Sequence, residues 1–113
     1  SYELNTLLEE EHPLHLIDIR EKLQFERGEI FHEDLIKLTR GYLEFQIHKY
    51  IKNKNDLIVI YCCSGQRSSL AVNTLISMGY TNVYSLDGGI KKWVDNGYPI
   101  LTSYGNMKLH DSY

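Results

Sequence analysis

Residues 57–68 have the sequence LIVIYCCSGQRS, in which an apolar run leads into a short polar loop. The run at residues 57–60 is rich in β-branched side chains, which is typical of a strand buried on both faces. After Ser68 the apolar side chains follow helical spacing, because Leu75 comes four residues after Ala71. This stretch therefore predicts a strand, a tight loop and a helix.

The predicted loop lies between the carboxyl end of a strand and the amino end of a helix. Backbone N–H groups at a helix start have no partner within the helix, and with the helix dipole they favour an anion. We expect a cysteine there to have a lowered pKa, so that it can be a thiolate near neutral pH. Cys62 lies at this position. The alternative interpretation is that Cys62 is only a small buried core residue at the end of the strand. Ser64 and Gly65 are small enough for successive N–H groups to turn inward and surround an anion.

The composition of the chain limits the classes of function. At 113 residues, with 42% hydrophobic and 24% charged residues, the chain is long enough for one domain with a hydrophobic core. Its net charge is −3 and it has no long basic run, which argues against a nucleic-acid partner. No apolar stretch approaches the ~18 residues of a membrane-spanning helix, so we expect no membrane contact.

The cysteines and the first residues of the chain bear on its compartment. The two cysteines are neighbours and cannot join distant segments, so a pair of reduced thiols is the simpler interpretation. Residues 1–4 show no secretory signal, although a signal removed earlier is compatible with this start. We therefore expect a cytoplasmic protein. The five histidines show no metal-ligand spacing, so we predict neither a metal nor a cofactor.

Strands and helices are predicted to alternate along the rest of the chain. Helices are predicted at residues 3–11, 21–27 and 43–52 and from residue 90 to an end at Gly97, and strands at residues 14–18, 35–38 and 83–86. This alternation predicts one α/β domain over residues 1–100 with a mostly parallel sheet. Residues 101–113 show no period and are expected to form a mobile tail. Ligands of such sheets bind at the carboxyl ends of the strands, where Asp18 and Arg20 would join the cysteine loop.

Four stretches, in order along the chain, resemble the rhodanese sulfurtransferases. Residues 61–68, YCCSGQRS, are similar to that family's active-site loop, Tyr-Cys-x-Ser-Gly-x-Arg-Ser. Its Asp-x-Arg element, its Gly-Tyr-x-Asn-Val element and its closing signature resemble residues 16–21 (LIDIRE), 78–84 (MGYTNVY) and 87–93 (DGGIKKW), with GYP at 97–99. The resemblance covers about residues 3–100.

The resemblance implies both a fold and an activity. The fold would be a three-layer α/β domain with a five-stranded, mostly parallel central sheet flanked by helices. The activity would be transfer of a sulfane sulfur from thiosulfate or a similar donor, with Cys62 holding the sulfur as a persulfide. The acceptor would be cyanide, a small thiol or a partner protein's cysteine. The loop that binds the anion or the persulfide would consist of Cys63, Ser64, Gly65, Gln66, Arg67 and Ser68.

The length of the loop separates this prediction from its nearest alternative. Cys62 to Arg67 is six residues, whereas phosphatases and arsenate reductases of the same fold have one residue more before the arginine. A shorter ring suits a persulfide and a longer one suits a phosphate-sized group, so we favour sulfur transfer. Arg67 would add a planar cation that suits an oxyanion, unless it only pairs with a surface carboxylate. The alternative functions are a cysteine phosphatase or arsenate reductase, and a non-catalytic sulfur carrier or binding module.

Several residues have a structural interpretation beside the functional one. Asp18 and Arg20 are expected to form an ion pair that braces the loop. Cys63 is expected to be a packed side chain, with a resolving thiol as the alternative. Arg40 begins the sequence RGYLE, which is similar to a stretch that borders the active site in some family members; a surface arginine is the alternative. Residues 28–34, GEIFHED, depart from the family's Gly-His-Ile-x-Gly-Ala, which leaves substrate choice open.

Overall fold

The computed structural model describes residues 2–21, 24 and 28–102, and the backbone of residues 105–107. The helices in these residues are α1 (Tyr2–Glu9), α2 (Arg40–Tyr50), α3 (Gln66–Ser77) and α4 (Gly89–Asp95). The strands are β1 (His15–Asp18), β2 (Ile36–Lys37), β3 (Ile58–Tyr61), β4 (Val83–Ser85), β5 (Ile100–Thr102) and β6 (Gly105–Met107). The predicted helix at residues 21–27 lies mostly outside the described residues, which include Glu21 and Gln24. Within the described ranges, no helix is long and apolar enough to span a membrane.

The central sheet has the strand order β2-β1-β3-β4, and every pairing in it is parallel. The buried strand predicted at residues 57–60 is β3, which lies inside the sheet and is buried along its whole length. Its composition of isoleucine, valine and tyrosine suits a strand that is covered on both faces. The α/β class and the parallel sheet predicted from the sequence are therefore confirmed.

The sheet has four strands in the described residues, where the family resemblance implied five. The extended segment after Pro99 forms β5, but β5 pairs antiparallel with β6 in a separate two-stranded sheet. The backbones of Leu101 and Glu29 also exchange hydrogen bonds of 2.9 and 2.7 Å. These partners take up the hydrogen-bonding groups of β5, so it does not join the parallel sheet.

The boundary predicted between the domain and its tail passes through β5. The sequence predicts a mobile tail from residue 101, but Leu101 and Thr102 belong to β5 and residues 105–107 form β6. The other tail residues, 103, 104 and 108–113, lie outside the described residues, so the mobile tail stays a prediction for them.

Alternate residues of β1 and β3 face opposite sides of the sheet, as the pleat of a strand requires. Ile17 and Ile60 pack into one hydrophobic cluster, which also contains the buried residues of α2 and α3. Leu16 and Val59 pack into a second cluster with buried residues of α1 and α4, including Trp93. The sheet thus lies between two pairs of helices, which confirms the predicted three-layer architecture.

The carboxyl ends of β1 and β3 meet at one edge of the sheet. Asp18 and Tyr61, the last residues of these strands, are partners in the parallel register. Arg20 follows the first strand and Cys62 follows the second, so the fold brings them to the same edge. This is where ligands bind in open parallel sheets.

Candidate active site

The cysteine loop connects β3 to α3 and turns sharply at Gly65. Gly65 precedes α3 and has a φ of 99°, a left-handed conformation that favours glycine. The turn brings the Gly65 N–H to within 3.1 Å of the Cys62 sulfur, measured from its nitrogen. The nitrogen and the hydroxyl oxygen of Ser68 lie 3.4 and 3.5 Å from the same sulfur. The loop and the first helical turn therefore surround one sulfur atom with polar groups.

The environment of Cys62 favours its thiolate. The residue is only 4% exposed, and burial on its own would raise the pKa of the thiol. Hydrogen bonds from Ser68, Gly65 and Ser64 outweigh that penalty, so the pKa of Cys62 lies below its ordinary value. Donors directed at a sulfur stabilise its anion. This is the direction expected from the sequence for a cysteine between a strand and a helix.

A glycine in the neighbouring segment lets α4 hold the loop backbone in place. The next two backbone N–H groups after Gly89 donate to the carbonyls of Cys62 and Cys63 at 2.9 and 3.0 Å. Gly89 permits this approach, because a Cβ at that position would lie 2.5 Å from both carbonyl oxygens. Its φ of +63° is also one that residues with a side chain rarely adopt. We did not predict this contact from the sequence, in which the adjacent Gly88 and Gly89 were its signal.

Asp18 and Arg20 form a buried ion pair beside the loop. Arg20 Nη2 lies 2.7 Å from Asp18 Oδ2, and both side chains are fully buried. The same nitrogen donates to the Gly28 carbonyl at 2.7 Å, and the guanidinium lies 5.5 Å from the centre of the Tyr61 ring. These contacts hold the arginine in one position. The ion pair expected from the sequence is therefore present, and its bracing of the loop stays a prediction.

The loop opens into a cavity of about 260 Å³. Its wall contains both cysteines together with Arg20, Glu21, Gln24, Ser64, Gln66 and Arg67. A larger cavity of about 1020 Å³ lies near the amino ends of the strands, where His15 and Leu57 contribute to its wall. Because its lining contains neither cysteine, we assign the candidate active site to the smaller cavity.

Cys63 has an environment unlike that of Cys62. Its side chain is half-buried, and Gln24 Nε2 donates to its sulfur at 3.0 Å. Burial raises the pKa of the Cys63 thiol, so this residue keeps its proton at pH values where Cys62 is ionised. The amide contact agrees with the packed side chain that the sequence favoured. Gln24 was not identified from the sequence, because it lies 39 positions from Cys63 and belongs to no motif.

Arg67 lies at the rim of the cavity with a largely exposed side chain. The side chain is 61% exposed, and its Nη1 is 3.6 Å from Glu21 Oε1. An exposed pair at this distance contributes little to stability, which leaves the guanidinium available to an anion that enters the cavity. Ser64 and Gln66 are also exposed and line the same cavity.

Arg40 lies outside this site. It is the first residue of α2, where its Nη2 donates to Thr74 Oγ1 of α3 at 3.1 Å and its Nη1 pairs with Glu44. It is not among the described residues that line the cavity. Arg40 therefore connects two helices, and the geometry does not support the contact with a substrate that the resemblance suggested.

One family model matches most of the chain, and the relatives that resemble it carry several names, among them sulfurtransferases, a sulfur carrier protein and a tRNA uridine(34) hydroxylase. A family model described as Rhodanese-like domain matches residues 1–96. A sulfurtransferase of Allochromatium vinosum is 34% identical over 90 residues, which are 80% of each chain. Thiosulfate sulfurtransferase 18 of Arabidopsis thaliana is 30% identical in an alignment 109 positions long, which covers 86% of this chain and 77% of that protein. A solved structure, rhodanese with anions from E. coli, has a TM-score of 0.68 and 28% identity over 80% of this chain and 100% of that one.

Proposed function

The chain belongs to the rhodanese-like domain family, and from this premise we propose that it is a sulfurtransferase whose nucleophile is Cys62. The observation that carries the proposal is the set of polar groups that lie 3.1, 3.4 and 3.5 Å from the Cys62 sulfur. A thiolate held in this way is activated without a neighbouring base, because fixed donors replace the base. The cavity of about 260 Å³ gives a small donor access to the sulfur.

The first step is attack of the Cys62 thiolate on the outer sulfur of thiosulfate. A bond forms between Cys62 Sγ and that sulfur, and the S–S bond of thiosulfate breaks. Sulfite leaves with the electron pair, so the enzyme keeps one sulfur as a Cys62 persulfide and charge is conserved. Arg67, exposed at the rim, supplies a planar cation for the sulfonate end of the donor.

The second step returns Cys62 to its starting state. The terminal sulfur of the persulfide is anionic, and the same loop N–H groups can stabilise it without reorganising. The six residues from Cys62 to Arg67 form a ring that suits one sulfur better than a phosphate group. Cyanide, a small thiol or a cysteine of a partner protein then attacks the terminal sulfur, and the Cys62 thiolate is the leaving group.

We place this chemistry in a reducing compartment, with the cytoplasm as the simplest choice. Both cysteines are free thiols, and the cycle needs Cys62 as a thiolate rather than in a disulfide. The partners in this proposal are a small sulfur donor and a thiol or cyanide acceptor, with neither nucleic acid nor membrane involved. The net charge of −3 supports the exclusion of nucleic acid.

The mass of the intact protein after incubation with thiosulfate tests the proposal. We expect the mass to increase by one sulfur atom, which cyanide then removes. Cys62→Ser should gain no sulfur, whereas Cys63→Ser should still gain it, because Cys63 is not the nucleophile. Uptake of sulfur by the Cys62→Ser protein would contradict the assignment.

The variant Arg67→Ala, in the same assay, tests whether Arg67 serves binding of the sulfur donor or stability of the fold. The arginine is exposed and weakly paired, so its loss should change the melting temperature little and should slow persulfide formation at low thiosulfate concentration. Arg67→Lys keeps the charge without the planar fork and should recover part of the rate. A variant that melts much lower and yet forms the persulfide at the normal rate would give Arg67 a structural role.

Simple assays distinguish the proposed sulfurtransferase from two alternative functions. Turnover of a phosphate ester or of arsenate without sulfur transfer would indicate a phosphatase or an arsenate reductase, and it would contradict the argument from loop length. A Cys62 persulfide that forms but passes its sulfur to no small acceptor would indicate a sulfur carrier.

A further inference from the structure

Ser85, the last residue of β4, is connected to Cys62 through one intervening hydroxyl. Its Oγ lies 2.7 Å from the Ser68 Oγ, and the Ser68 Oγ lies 3.5 Å from the Cys62 sulfur. We propose that Ser85 is a positioning residue for Cys62: its hydroxyl donates to Ser68 and thereby directs the one Ser68 hydroxyl proton to the sulfur. Ser85 lies outside the cysteine loop and acts through Ser68.

The parallel sheet holds Ser85 at the required position. Ser85 is the register partner of Ile60 in β3, and the Leu86 N–H donates to the Ile60 carbonyl at 2.9 Å. Cys62 comes two residues after Ile60. Ser85 and Cys62, the two partners of the Ser68 hydroxyl, are therefore both attached to the pair of strands β3 and β4. Side chains carried by strands are placed more accurately than side chains carried by loops.

Ser68 has one hydroxyl proton and three acceptors within reach. Besides Ser85 and the sulfur, the Gly65 carbonyl oxygen lies 3.2 Å from the Ser68 Oγ. That carbonyl already accepts from the Ser69 hydroxyl at 2.8 Å and from the Ser69 N–H at 3.1 Å. A carbonyl oxygen has two lone pairs, so it is satisfied without Ser68. The Ser68 hydroxyl is within donating distance of this carbonyl, but the carbonyl keeps two donors when the Ser68 proton goes to the sulfur or to Ser85 instead.

The direction of the hydrogen bond between the two serines determines which acceptor receives the proton. When Ser85 donates, the Ser68 oxygen accepts and its own proton is free for the Cys62 thiolate. When Ser68 donates to Ser85, the sulfur loses this donor, and the Ser68 oxygen can accept a proton from a Cys62 thiol instead. The serine pair stays hydrogen-bonded in both protonation states, but the chain of hydroxyls that ends on the thiolate is the stronger one, because a charged acceptor strengthens each donation along the chain. Ser85 therefore favours the thiolate over the thiol. Ser68 is fully buried, so its hydroxyl oxygen has to accept a hydrogen bond from the protein rather than from water. Ser85 supplies that hydrogen bond.

The proposed effect is separate from the charges near the loop. The titratable and charged residues near Cys62 are Asp18, Arg20, Glu21, Cys63 and Arg67, and the exposed Asp87, Lys91 and Lys92 lie on the segment after β4. A change of Ser85 to alanine removes one hydroxyl and leaves all of these charges in place. The inference requires only that Cys62 ionises, so it holds whichever donor the thiolate attacks.

The pH dependence of alkylation at Cys62 tests this inference. Iodoacetamide modification is followed by mass in a Cys63→Ser background, in which Cys62 is the remaining cysteine. In Ser85→Ala the midpoint should move to higher pH, and the rate below the midpoint should fall about twofold to threefold, because the bond to Ser68 is lost in both protonation states and only its strengthening by the thiolate counts. Ser85→Thr keeps the hydroxyl and should restore the midpoint. Ser77→Ala, in the last turn of α3, should leave the midpoint unchanged.

A Ser68→Ala background distinguishes a path through Ser68 from a general disturbance of the strand. Without the Ser68 hydroxyl, Ser85→Ala should cause no further shift of the midpoint. An unchanged midpoint in Ser85→Ala, or a shift of the same size with and without the Ser68 hydroxyl, would overturn the proposal. Thermal unfolding checks that each variant folds, and Ser85→Val compared with Ser85→Thr provides the same contrast if the alanine variant is unstable. Alkylation needs no sulfur donor, so failure here is distinct from failure of the sulfurtransferase proposal.

Discussion

Replacing Gly89 by alanine would insert one methyl group between α4 and the cysteine loop. The added carbon would lie 2.5 Å from the carbonyl oxygens of Cys62 and Cys63. Both oxygens belong to the backbone, so rotation of a side chain cannot relieve the contact and the loop must move away from α4. The same change forces an alanine to adopt a φ of +63°.

The expected loss of stability has two parts. A left-handed conformation costs a residue with a side chain ~1–2 kcal/mol relative to glycine. Movement of the loop also breaks the hydrogen bonds from Ile90 and Lys91 to the loop carbonyls, each of which contributes ~0.5–1.5 kcal/mol. Together these effects lower the free energy of unfolding by ~2–5 kcal/mol. Since ~1 kcal/mol corresponds to ~4–8 °C in a domain of this size, the melting temperature should fall by at least ~8 °C.

Thermal unfolding followed by circular dichroism measures this fall, with Gly41→Ala as the matched control. Gly41 lies in α2, and no atom lies within 4 Å of the position that its Cβ would take. Alanine should stabilise that helix by ~0.5–1 kcal/mol. In Gly89→Ala the displaced loop should also withdraw its N–H groups from the Cys62 sulfur, so the pH midpoint of alkylation at Cys62 should rise.

Two results would refute this reasoning. One is a Gly89→Ala protein with the melting temperature and the alkylation midpoint of the wild type, which would show that α4 does not constrain the loop. The other is an equal loss of stability in the Gly41→Ala protein, which would show that an added methyl group is harmful irrespective of its surroundings.

The remaining predictions concern the ionisable groups of the site. Cys62 should be alkylated with a lower pH midpoint than Cys63, measured in the Cys63→Ser and Cys62→Ser proteins, because hydrogen bonds outweigh burial at Cys62 and do not at Cys63; the reverse order would contradict the assigned roles. The lowered pKa of Cys62 in the folded state also means that its ionisation stabilises the fold above the unfolded pKa, and that this contribution is lost as pH falls through the folded pKa. Arg20→Met should lower the free energy of unfolding, measured by denaturant titration, by ~3–5 kcal/mol, because it leaves the buried Asp18 carboxylate without its cation. Arg67→Ala removes a side chain that is 61% exposed, so it should lower the free energy of unfolding by less than ~1 kcal/mol. Equal losses of stability in Arg20→Met and Arg67→Ala would show that the burial of the Asp18–Arg20 pair does not determine its contribution.

Local patterns in the sequence were enough to locate most helices and strands. The apolar run before Cys62 forms β3, and the four-residue spacing after Ser68 lies in α3. The helix predicted at residues 43–52 is α2 at Arg40–Tyr50, and the strand predicted at residues 83–86 is β4 at Val83–Ser85. Such patterns are informative because each records which side chains of one element are buried.

The environment of Cys62 was also predictable, because the chain near it supplies most of that environment. The N–H groups that face the sulfur come from Gly65 and Ser68, at most six residues away. A strand that ends at Tyr61 and a helix that begins at Gln66 leave room for one tight turn between them. Its geometry therefore depends on local conformation, which residue type and spacing indicate well.

Contacts between segments that are distant in the sequence could not be predicted from local sequence patterns. Gln24 lies 39 positions from Cys63, and Ser85 lies 17 positions from Ser68, so only the packing of the whole chain brings each pair together. The same holds for β5, whose partners are β6 and Glu29 rather than the parallel sheet. A hydrophobic or polar pattern shows that a group needs a partner, but several partners can satisfy the same pattern. The choice among them depends on which segments meet in three dimensions, and that is a property of the folded molecule.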